Sequence, residues 1–326
     1  MKTPPFRLHR PTTIEEAVSL AADLENRNQG FDWVSGGTDL LANYKWHINT
    51  KPHVISLASI EELTRHDKYH IGAMVRLHDL EHGPTHALLK KAAGTIASTL
   101  IRRSATVGGN LCLDTRCFWY NQTEDWRRSI EWCHKCDCDT EADCRVIPNQ
   151  NTLCVATYQG DLAPCFMVLD ATIHLAGPDG VRSMSIADFY ALDGMTRNVL
   201  KASEFVTHVS IPEESNDLNG DYQKLSLRES WDFPEAGVAT AWKRDATGLS
   251  TLRIATTACE SIPRIHSEQA QVGLANWNGE STAVEIAEAI RKEVKPVNNT
   301  YFPPAYRRKM LRVLTKRALK RHMDVI

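Results

Sequence analysis

The 326-residue sequence lacks the features that would place it in a membrane, in the secretory pathway or on nucleic acid. No run of about 18 apolar residues could span a bilayer, and residues 1–11 contain no apolar stretch of the kind that a secretory signal needs. The formal net charge is only -2, which favours neither nucleic acid nor an anionic membrane as a partner. We therefore expect a cytoplasmic protein of ordinary globular composition, long enough for about two domains.

Two catalytic patterns are also missing. The sequence has no G-x-G-x-x-G fingerprint, so a nicotinamide-binding Rossmann unit is not indicated. None of the thirteen histidines forms a recognisable pair with a nucleophile or a carboxylate. Residues 304–323 are strongly basic, but in a nearly neutral chain such an amphipathic helix is usually solvated, so we predict no nucleic-acid partner.

Cysteine is rare outside one segment: eight of the nine cysteines lie between Cys112 and Cys165, and Cys259 lies apart. Disulfides rarely persist in a reducing compartment, so a dense local patch favours a metal ion or a cluster. The segment from Cys112 to Cys154 has poor periodicity, as expected of a long insertion that no apolar core organises. Apolar neighbours indicate that Cys112 and Cys165 are packed thiols, and Cys259 is predicted to lie in the core.

Four thiolates on one loop can hold a [4Fe–4S] cube. The candidate ligands are Cys117, Cys133, Cys144 and Cys154, and Cys136 or Cys138 could replace Cys133 or Cys144. Zinc is the main alternative, because Cys133-His-Lys-Cys136 has the spacing of half a zinc site. No clean second pair accompanies it, which favours the cluster.

Two paired glycines are the other notable motif: Ser35-Gly-Gly-Thr-Asp39 follows a short apolar strand, and Thr106-Val-Gly-Gly-Asn110 precedes the cysteines. A Gly-Gly turn permits positive φ and lets backbone N–H groups approach an anion such as a diphosphate. Taken singly, each turn is more often structural.

The rest of the chain predicts a mixture of helices and strands. Helices are expected at about residues 12–24, 86–100, 281–294 and 304–323, the second ending before the second glycine turn. Strands are expected at about 31–34, 54–57, 70–75, 166–169, 171–175, 205–211, 238–242 and 252–257. The polar stretch 213–220 is predicted to be a loop or a domain border.

The two glycine turns, in this order and ahead of a cysteine-bearing segment, resemble the FAD-binding subunits of the xanthine dehydrogenase and carbon monoxide dehydrogenase family. The likeness extends over nearly the whole chain. Matching segments are Pro11-Thr-Thr-Ile-Glu-Glu-Ala17, Ser35-Gly-Gly-Thr-Asp-Leu40, Ile71-Gly-Ala73, Ile101-Arg-Arg-Ser-Ala-Thr-Val-Gly-Gly-Asn110, Gly160-Asp-Leu-Ala-Pro164, Tyr222-Gln-Lys-Leu-Ser-Leu-Arg-Glu229 and Tyr306-Arg-Arg308.

The resemblance implies an α+β FAD-binding fold of the type shared by vanillyl-alcohol oxidase and carbon monoxide dehydrogenase flavoproteins. Residues 1–218 would form the FAD-binding domain, with two α+β subdomains at about 1–55 and 56–218 and the cluster insertion at about 113–157. Residues 219–326 would form a C-terminal α+β domain with a small sheet and helices.

The resemblance also implies roles for individual residues. The diphosphate of FAD would be wrapped by Val34, Ser35, Gly36, Gly37, Thr38, Asp39 and Leu40. The ribityl chain and the flavin would be held by Ala105, Thr106, Gly109, Asn110 and Leu113. Asp161 and Leu162 would lie near the ribityl and adenosine portions, and Lys224 near the isoalloxazine, although a lone strand lysine is more often solvated.

The insertion contains three further matching segments, Cys112-Leu-Asp-Thr-Arg-Cys117, Tyr120-Asn-Gln122 and Cys154-Val-Ala-Thr-Tyr158, the last leading into Gly160-Asp161. In these segments it resembles the extra loop of the beta subunits of 4-hydroxybenzoyl-CoA reductases, which holds a [4Fe–4S] cluster. The implied function is an oxidoreductase subunit that relays electrons between an external carrier such as ferredoxin and two partners, a molybdopterin-binding large subunit and a small subunit with two [2Fe–2S] clusters. The substrate would bind on another subunit, and the direction of electron flow stays open. The alternatives are a self-standing FAD oxidoreductase and a zinc-binding scaffold protein without redox activity.

Overall fold

The computed structural model describes residues 2–135, 142–149, 153–246 and 248–323. Cys136 and Cys138, the alternative cluster ligands, lie outside the described residues. The described chain forms three small sheets with helices packed around them. The strands are β1 Arg7–His9, β2 Phe31–Val34, β3 His53–Ser56, β4 His70–Gly72, β5 Thr172–Gly177, β6 Gly180–Ser185, β7 Phe205–Ser210, β8 Asn219–Leu225, β9 Ala236–Asp245, β10 Gly248–Thr257 and β11 Arg264–Ile265. The α-helices are α1 Ile14–Asn26, α2 Leu40–Lys45, α3 Leu77–His82, α4 Ala87–Gly94, α5 Thr99–Arg102, α6 Val107–Leu111, α7 Glu124–Ser129, α8 Leu162–Val168, α9 Ser267–Ala275, α10 Gly279–Glu293 and α11 Pro304–Met323.

The first sheet is parallel, with the strand order β1-β3-β2. Helix α1 precedes β2, and the Thr13 side chain caps it by accepting the N–H of Glu16. Because β2 ends at Val34, the first glycine segment begins where this strand leaves the sheet.

The second sheet is antiparallel, with the order β4-β7-β5-β6, and the third is antiparallel, with the order β11-β10-β9-β8. The largest apolar core contains Ile173 and Val209 of the second sheet together with Ala239 and Ala255 of the third. The three sheets correspond to the three predicted parts of the chain, at about residues 1–55, 56–218 and 219–326. The largest core, however, contains residues from both sides of the predicted border at residue 218. The division into domains therefore stays a prediction.

The cysteine-bearing insertion has a narrow neck. Arg116 and Thr157 form an isolated antiparallel bridge, in which each N–H donates to the other's carbonyl at 2.7 Å. Between these two residues, the described part of the insertion contains a single α-helix, α7.

Three secondary-structure predictions are wrong. Residues 166–168 belong to helix α8, which Leu169 caps, and not to a strand. The predicted helix 86–100 is divided into α4 and α5 by a segment that contains Ala97, which has φ +46°. The second glycine segment is not an open turn, because α6 begins at Val107. Helix α11, by contrast, begins and ends where the sequence predicts. Among the described helices, none combines the length and apolar character needed to cross a bilayer.

Candidate functional site: a cofactor cavity beside a thiol pocket

A cavity of about 950 Å³ brings the two glycine segments together. Its wall includes residues 31–40 at the end of the first sheet, residues 105, 106 and 108–110 around α6, and residues 112–114 and 116–118 at the neck of the insertion. Residues 231–233 and 299–301 from the C-terminal part complete it. A cavity of this size is at the upper end of the range for small-molecule and cofactor sites.

The glycine at position 36 allows the two segments to touch. A Cβ atom at Gly36 would lie 2.0 Å from the carbonyl oxygen of Ser104, a backbone atom that cannot move aside cheaply. Gly37 has φ +68°, a conformation that favours glycine. The Ser35 and Thr106 hydroxyls, one from each segment, lie 3.0 Å apart within hydrogen-bonding distance.

The second glycine segment is held by hydrogen bonds on both sides of α6. Thr106 caps this helix by accepting the N–H of Gly109 at 3.1 Å. The side-chain oxygen of Asn110 accepts the N–H of Leu162 at 3.0 Å, and its carbonyl accepts the hydroxyl of Tyr158 at 3.1 Å. Hydrogen bonds from Leu162 and Tyr158 therefore hold the part of the cavity wall that α6 forms.

The structure brings most of the predicted cofactor residues to this cavity. Its lining includes Val34, Ser35, Gly36, Gly37, Thr38, Asp39, Leu40, Ala105, Thr106, Gly109, Asn110, Leu113 and Asp161. Leu162 and Lys224 are not among the lining residues. Leu162 is fully buried in the core and donates its backbone N–H to the side-chain oxygen of Asn110, which lines the cavity.

Lys224 forms a buried ion pair instead of projecting into solvent. Its ammonium lies 3.0 Å from a carboxylate oxygen of Asp161 and donates to the carbonyl of Thr95 at 3.0 Å. The hydroxyl of Tyr222 donates to the same Asp161 oxygen at 2.8 Å. Burial raises the pKa of Asp161, and the charge of Lys224 acts in the opposite direction. The alternative of a solvated strand lysine is thus wrong. Lys224 does not line the cavity itself, but it contacts Asp161, which does.

Sequence reasoning missed several residues of the wall. Arg116 forms an ion pair with Asp39, so the carboxylate of Asp39 faces a cation at the cavity wall. The Arg116 guanidinium also lies 4.8 Å from the centre of the Phe233 ring. Exposed aromatic side chains stand on the same wall; they are Phe118, Trp231, Phe233 and Tyr301. No local motif marks these positions, because their partners are distant in sequence.

A second, smaller pocket is lined by all four predicted cluster ligands, Cys117, Cys133, Cys144 and Cys154. Each of these cysteines is 8% exposed. Cys117 lines both this pocket and the large cavity, so the two sites share a wall. We call the smaller site the thiol pocket.

Every sulfur in the thiol pocket accepts a backbone N–H. Cys144 accepts from Ile147 at 3.5 Å and Cys154 from Ala156 at 3.4 Å. Trp119 donates in the same way to Cys117, and Lys135 to Cys133. Hydrogen bonds to ligand sulfurs are one of the features by which proteins adjust iron–sulfur clusters.

In the part of the chain that the structure describes, no three of the four thiols lie within 4.8 Å of one another. In a tetrahedral zinc site with Zn–S bonds of about 2.3 Å, the sulfurs would lie about 3.8 Å apart. Among the described residues, the only group with three His, Cys, Asp or Glu ligand atoms within 4.8 Å of one another is His78, Glu81 and His82.

The other cysteines are arranged largely as predicted. Cys165 and Cys259 are buried in apolar surroundings. Cys112 packs against the core but is only half-buried, and it lines the large cavity. It is therefore a cavity residue as well as a packed thiol.

The cavity between the two glycine segments has the size of a cofactor site. The chain belongs to the family described as the FAD binding domain in molybdopterin dehydrogenase, whose model matches residues 4–214. It is accordingly an FAD-binding oxidoreductase subunit of the molybdenum hydroxylase type, as the resemblance in the sequence implied.

Related proteins support this assignment. The chain is 29% identical over 262 residues to an aldehyde oxidoreductase FAD-binding subunit from Escherichia coli, covering 76% of this chain and 80% of that protein. It is 24% identical to a carbon monoxide dehydrogenase medium chain from Afipia carboxidovorans, covering 97% and 96% of the two chains. A solved carbon monoxide dehydrogenase structure from Oligotropha carboxidovorans matches with a TM-score of 0.79 at 21% identity, covering 98% of both chains. The predicted α+β flavoprotein fold is thereby confirmed.

Proposed function

We propose that this chain carries both FAD and a [4Fe–4S] cluster and transfers electrons within a molybdenum-cofactor hydroxylase or reductase. The observation that carries this proposal is the shared wall at Cys117, which lines the FAD cavity and the thiol pocket. A cluster bound there would be one side chain away from the FAD cavity. FAD can accept two electrons and release them singly to such a carrier.

Among the described residues of the cavity wall, we find no histidine and no unpaired carboxylate that would act as a general base on a substrate of its own. Each carboxylate on the wall is held by an ion pair or a hydrogen bond: Asp32 by Tyr44, Asp39 by Arg116, Asp114 by Lys135, Asp161 by Lys224, Glu204 by Arg182, Asp232 by Arg228 and Glu235 by Thr300. This favours electron transfer over the alternative of a self-standing FAD oxidoreductase.

The partners follow from the same proposal. Relatives are named as FAD-binding subunits or medium chains, which implies further subunits in those enzymes. For this chain we infer a molybdopterin-binding large subunit and a small subunit with two [2Fe–2S] clusters. The [4Fe–4S] cluster would receive electrons from, or deliver them to, an external carrier such as ferredoxin.

The proposal is tested by removing one ligand of the thiol pocket. Cys154→Ala is expected to keep FAD but to lose most of about four iron atoms per chain. Flavin reduction by reduced ferredoxin should then slow by at least about tenfold, since the carrier would have to reach the flavin directly. Cys259→Ala alters a buried cysteine away from the pocket and is the matched control. It should keep the wild-type iron content and the wild-type rate of flavin reduction. Unchanged iron content and rate in Cys154→Ala would contradict the proposal, as would one zinc ion per wild-type chain in place of iron; zinc without FAD would support the scaffold alternative.

The insertion also suggests a reaction for the whole complex. Its resemblance to the loop of 4-hydroxybenzoyl-CoA reductases makes reductive dehydroxylation of 4-hydroxybenzoyl-CoA the first reaction to assay. The assay uses the assembled complex with reduced ferredoxin. Benzoyl-CoA formation would support this substrate. If the complex instead oxidised only an aldehyde or a heterocycle, its reaction would be a hydroxylation and this substrate would be excluded.

A further inference from the structure

Lys135 is a buried cation at the boundary between the thiol pocket and the FAD cavity. It lines the pocket and is 9% exposed. Its ammonium donates to the Asp114 carboxylate at 2.8 Å, to the Thr115 hydroxyl at 2.6 Å and to the Thr115 carbonyl at 3.2 Å. It also lies 4.7 Å from the centre of the Tyr120 ring. These contacts hold the charge in one place.

The charge of Lys135 acts on two of the thiols. Burial raises the pKa of Cys133 and of Cys154, and Lys135 opposes that rise at both. Arg127 assists at Cys133, while Asp193 acts in the other direction at Cys154. The backbone N–H of Lys135 donates to the sulfur of Cys133 as well. Asp114, which accepts from the Lys135 ammonium, also lines the FAD cavity.

We infer that Lys135 raises the reduction potential of the cluster held by the thiol pocket. This inference rests on the proposed function. A [4Fe–4S] core of charge +2 with four thiolates carries a net charge of about -2, and a single electron from a donor such as dithionite makes it about -3. A fixed cation in a buried site stabilises the more negative state, because charges there are poorly screened.

The test is a redox titration of the full chain, reconstituted anaerobically with iron and sulfide and followed by electron paramagnetic resonance. Lys135→Gln is expected to shift the reduction equilibrium of the cluster at least about tenfold toward the oxidised form, which is about 59 mV more negative for one electron. Lys135→Arg keeps the positive charge, so the reduction potential of this variant should lie close to that of the wild type. Arg128→Gln is the matched control, because Arg128 is an exposed arginine of the same insertion, paired with Glu124.

Asp114→Asn provides an independent arm that does not require Lys135 to be altered. It removes the negative partner and leaves the cation, so the potential should become more positive. Unchanged potentials in Lys135→Gln and Asp114→Asn, or shifts of the same sign in both, would overturn the inference while the cluster of the proposed function still stood. A wild-type chain that takes up no iron would overturn the proposed function itself, and this inference with it.

Discussion

The guanidinium of Arg116 forms an ion pair with the carboxylate of Asp39, although the two residues are 77 positions apart in the sequence. Asp39 closes the first glycine segment, and Arg116 forms the neck of the insertion next to the thiol of Cys117. The pair therefore joins the FAD-binding segment to the segment that carries the thiol pocket. Both side chains are largely withdrawn from solvent, with exposures of 11% for Arg116 and 29% for Asp39.

Arg116→Gln is expected to weaken FAD binding. Removing one partner of a mostly buried pair leaves the other charge uncompensated, and we expect a loss of about 1.4 kcal/mol, or roughly tenfold in the dissociation constant. FAD fluorescence on titration of the deflavinated chain measures this. Arg116→Lys should recover part of the affinity, and Arg128→Gln, which breaks an exposed pair, should bind FAD like the wild type. A dissociation constant within twofold of wild type in a folded Arg116→Gln chain would contradict the role of the pair.

Gly36→Ala is expected to disrupt the contact between the two glycine segments. The added Cβ would meet the backbone of Ser104, so the segments must separate at a cost of about 1–3 kcal/mol in the free energy of unfolding. Urea unfolding with and without FAD measures the loss. Gly30→Ala is the control, since the nearest atom to its Cβ would belong to the flexible Lys51 side chain. Equal stability of the two variants would show that the close approach at Gly36 is not required.

Lys224→Met is expected to act mainly on stability. The substitution leaves the carboxylate of Asp161 buried without its cation, and breaking a buried pair in this way costs about 3–5 kcal/mol. The double variant Lys224→Met with Asp161→Asn removes both charges and should recover a large part of the loss. Unfolding in urea at neutral pH with saturating FAD is the measurement. A single variant as stable as the wild type would argue that Lys224 serves the flavin and not the fold.

The ring of His208 makes stability depend on pH. It lies between His174 and His70, with ring centres 4.0 Å and 4.1 Å away, and burial together with the charges of these neighbours lowers the pKa of His208 to about 4. In the unfolded chain a histidine has a pKa of about 6.5, so between pH 6.5 and 4 the unfolded chain binds more protons than the folded one. The free energy of unfolding should therefore fall as the pH falls through this window, by at most about 1.4 kcal/mol per pH unit for this group.

His208→Phe keeps a ring in the stack but removes the titration. The variant is expected to have a shallower loss of stability between pH 6.5 and 4 than the wild type, measured by urea unfolding at several pH values. Parallel pH profiles for the two chains would exclude His208 as a source of the dependence.

Much of the site is predictable from the sequence because local patterns produce it. The strand at residues 31–34 and the following glycines mark the end of a sheet, and the isolated patch of cysteines by itself indicates the thiol pocket. Helix α11 is also predicted, because a long polar segment beginning at Pro304 has a clear N-terminal signal.

Other features could not be predicted, for physical reasons. Helix α8 is buried on every side, so its residues show no helical periodicity and resemble a buried strand. The break between α4 and α5 depends on a positive φ at Ala97, a residue that seldom signals one. The pairs of Arg116 with Asp39 and of Lys224 with Asp161 connect residues far apart in the chain, and charge alone does not identify such partners.

The most direct test of the account is the cofactor content of the full chain purified without oxygen. One FAD, about four iron atoms and about four acid-labile sulfides per chain, with the electron paramagnetic resonance signal of a [4Fe–4S] cluster after reduction by dithionite, are the predicted result. FAD without iron and sulfide, or a single zinc ion in their place, would contradict the central claim that the thiol pocket holds an electron-transferring cluster beside the flavin.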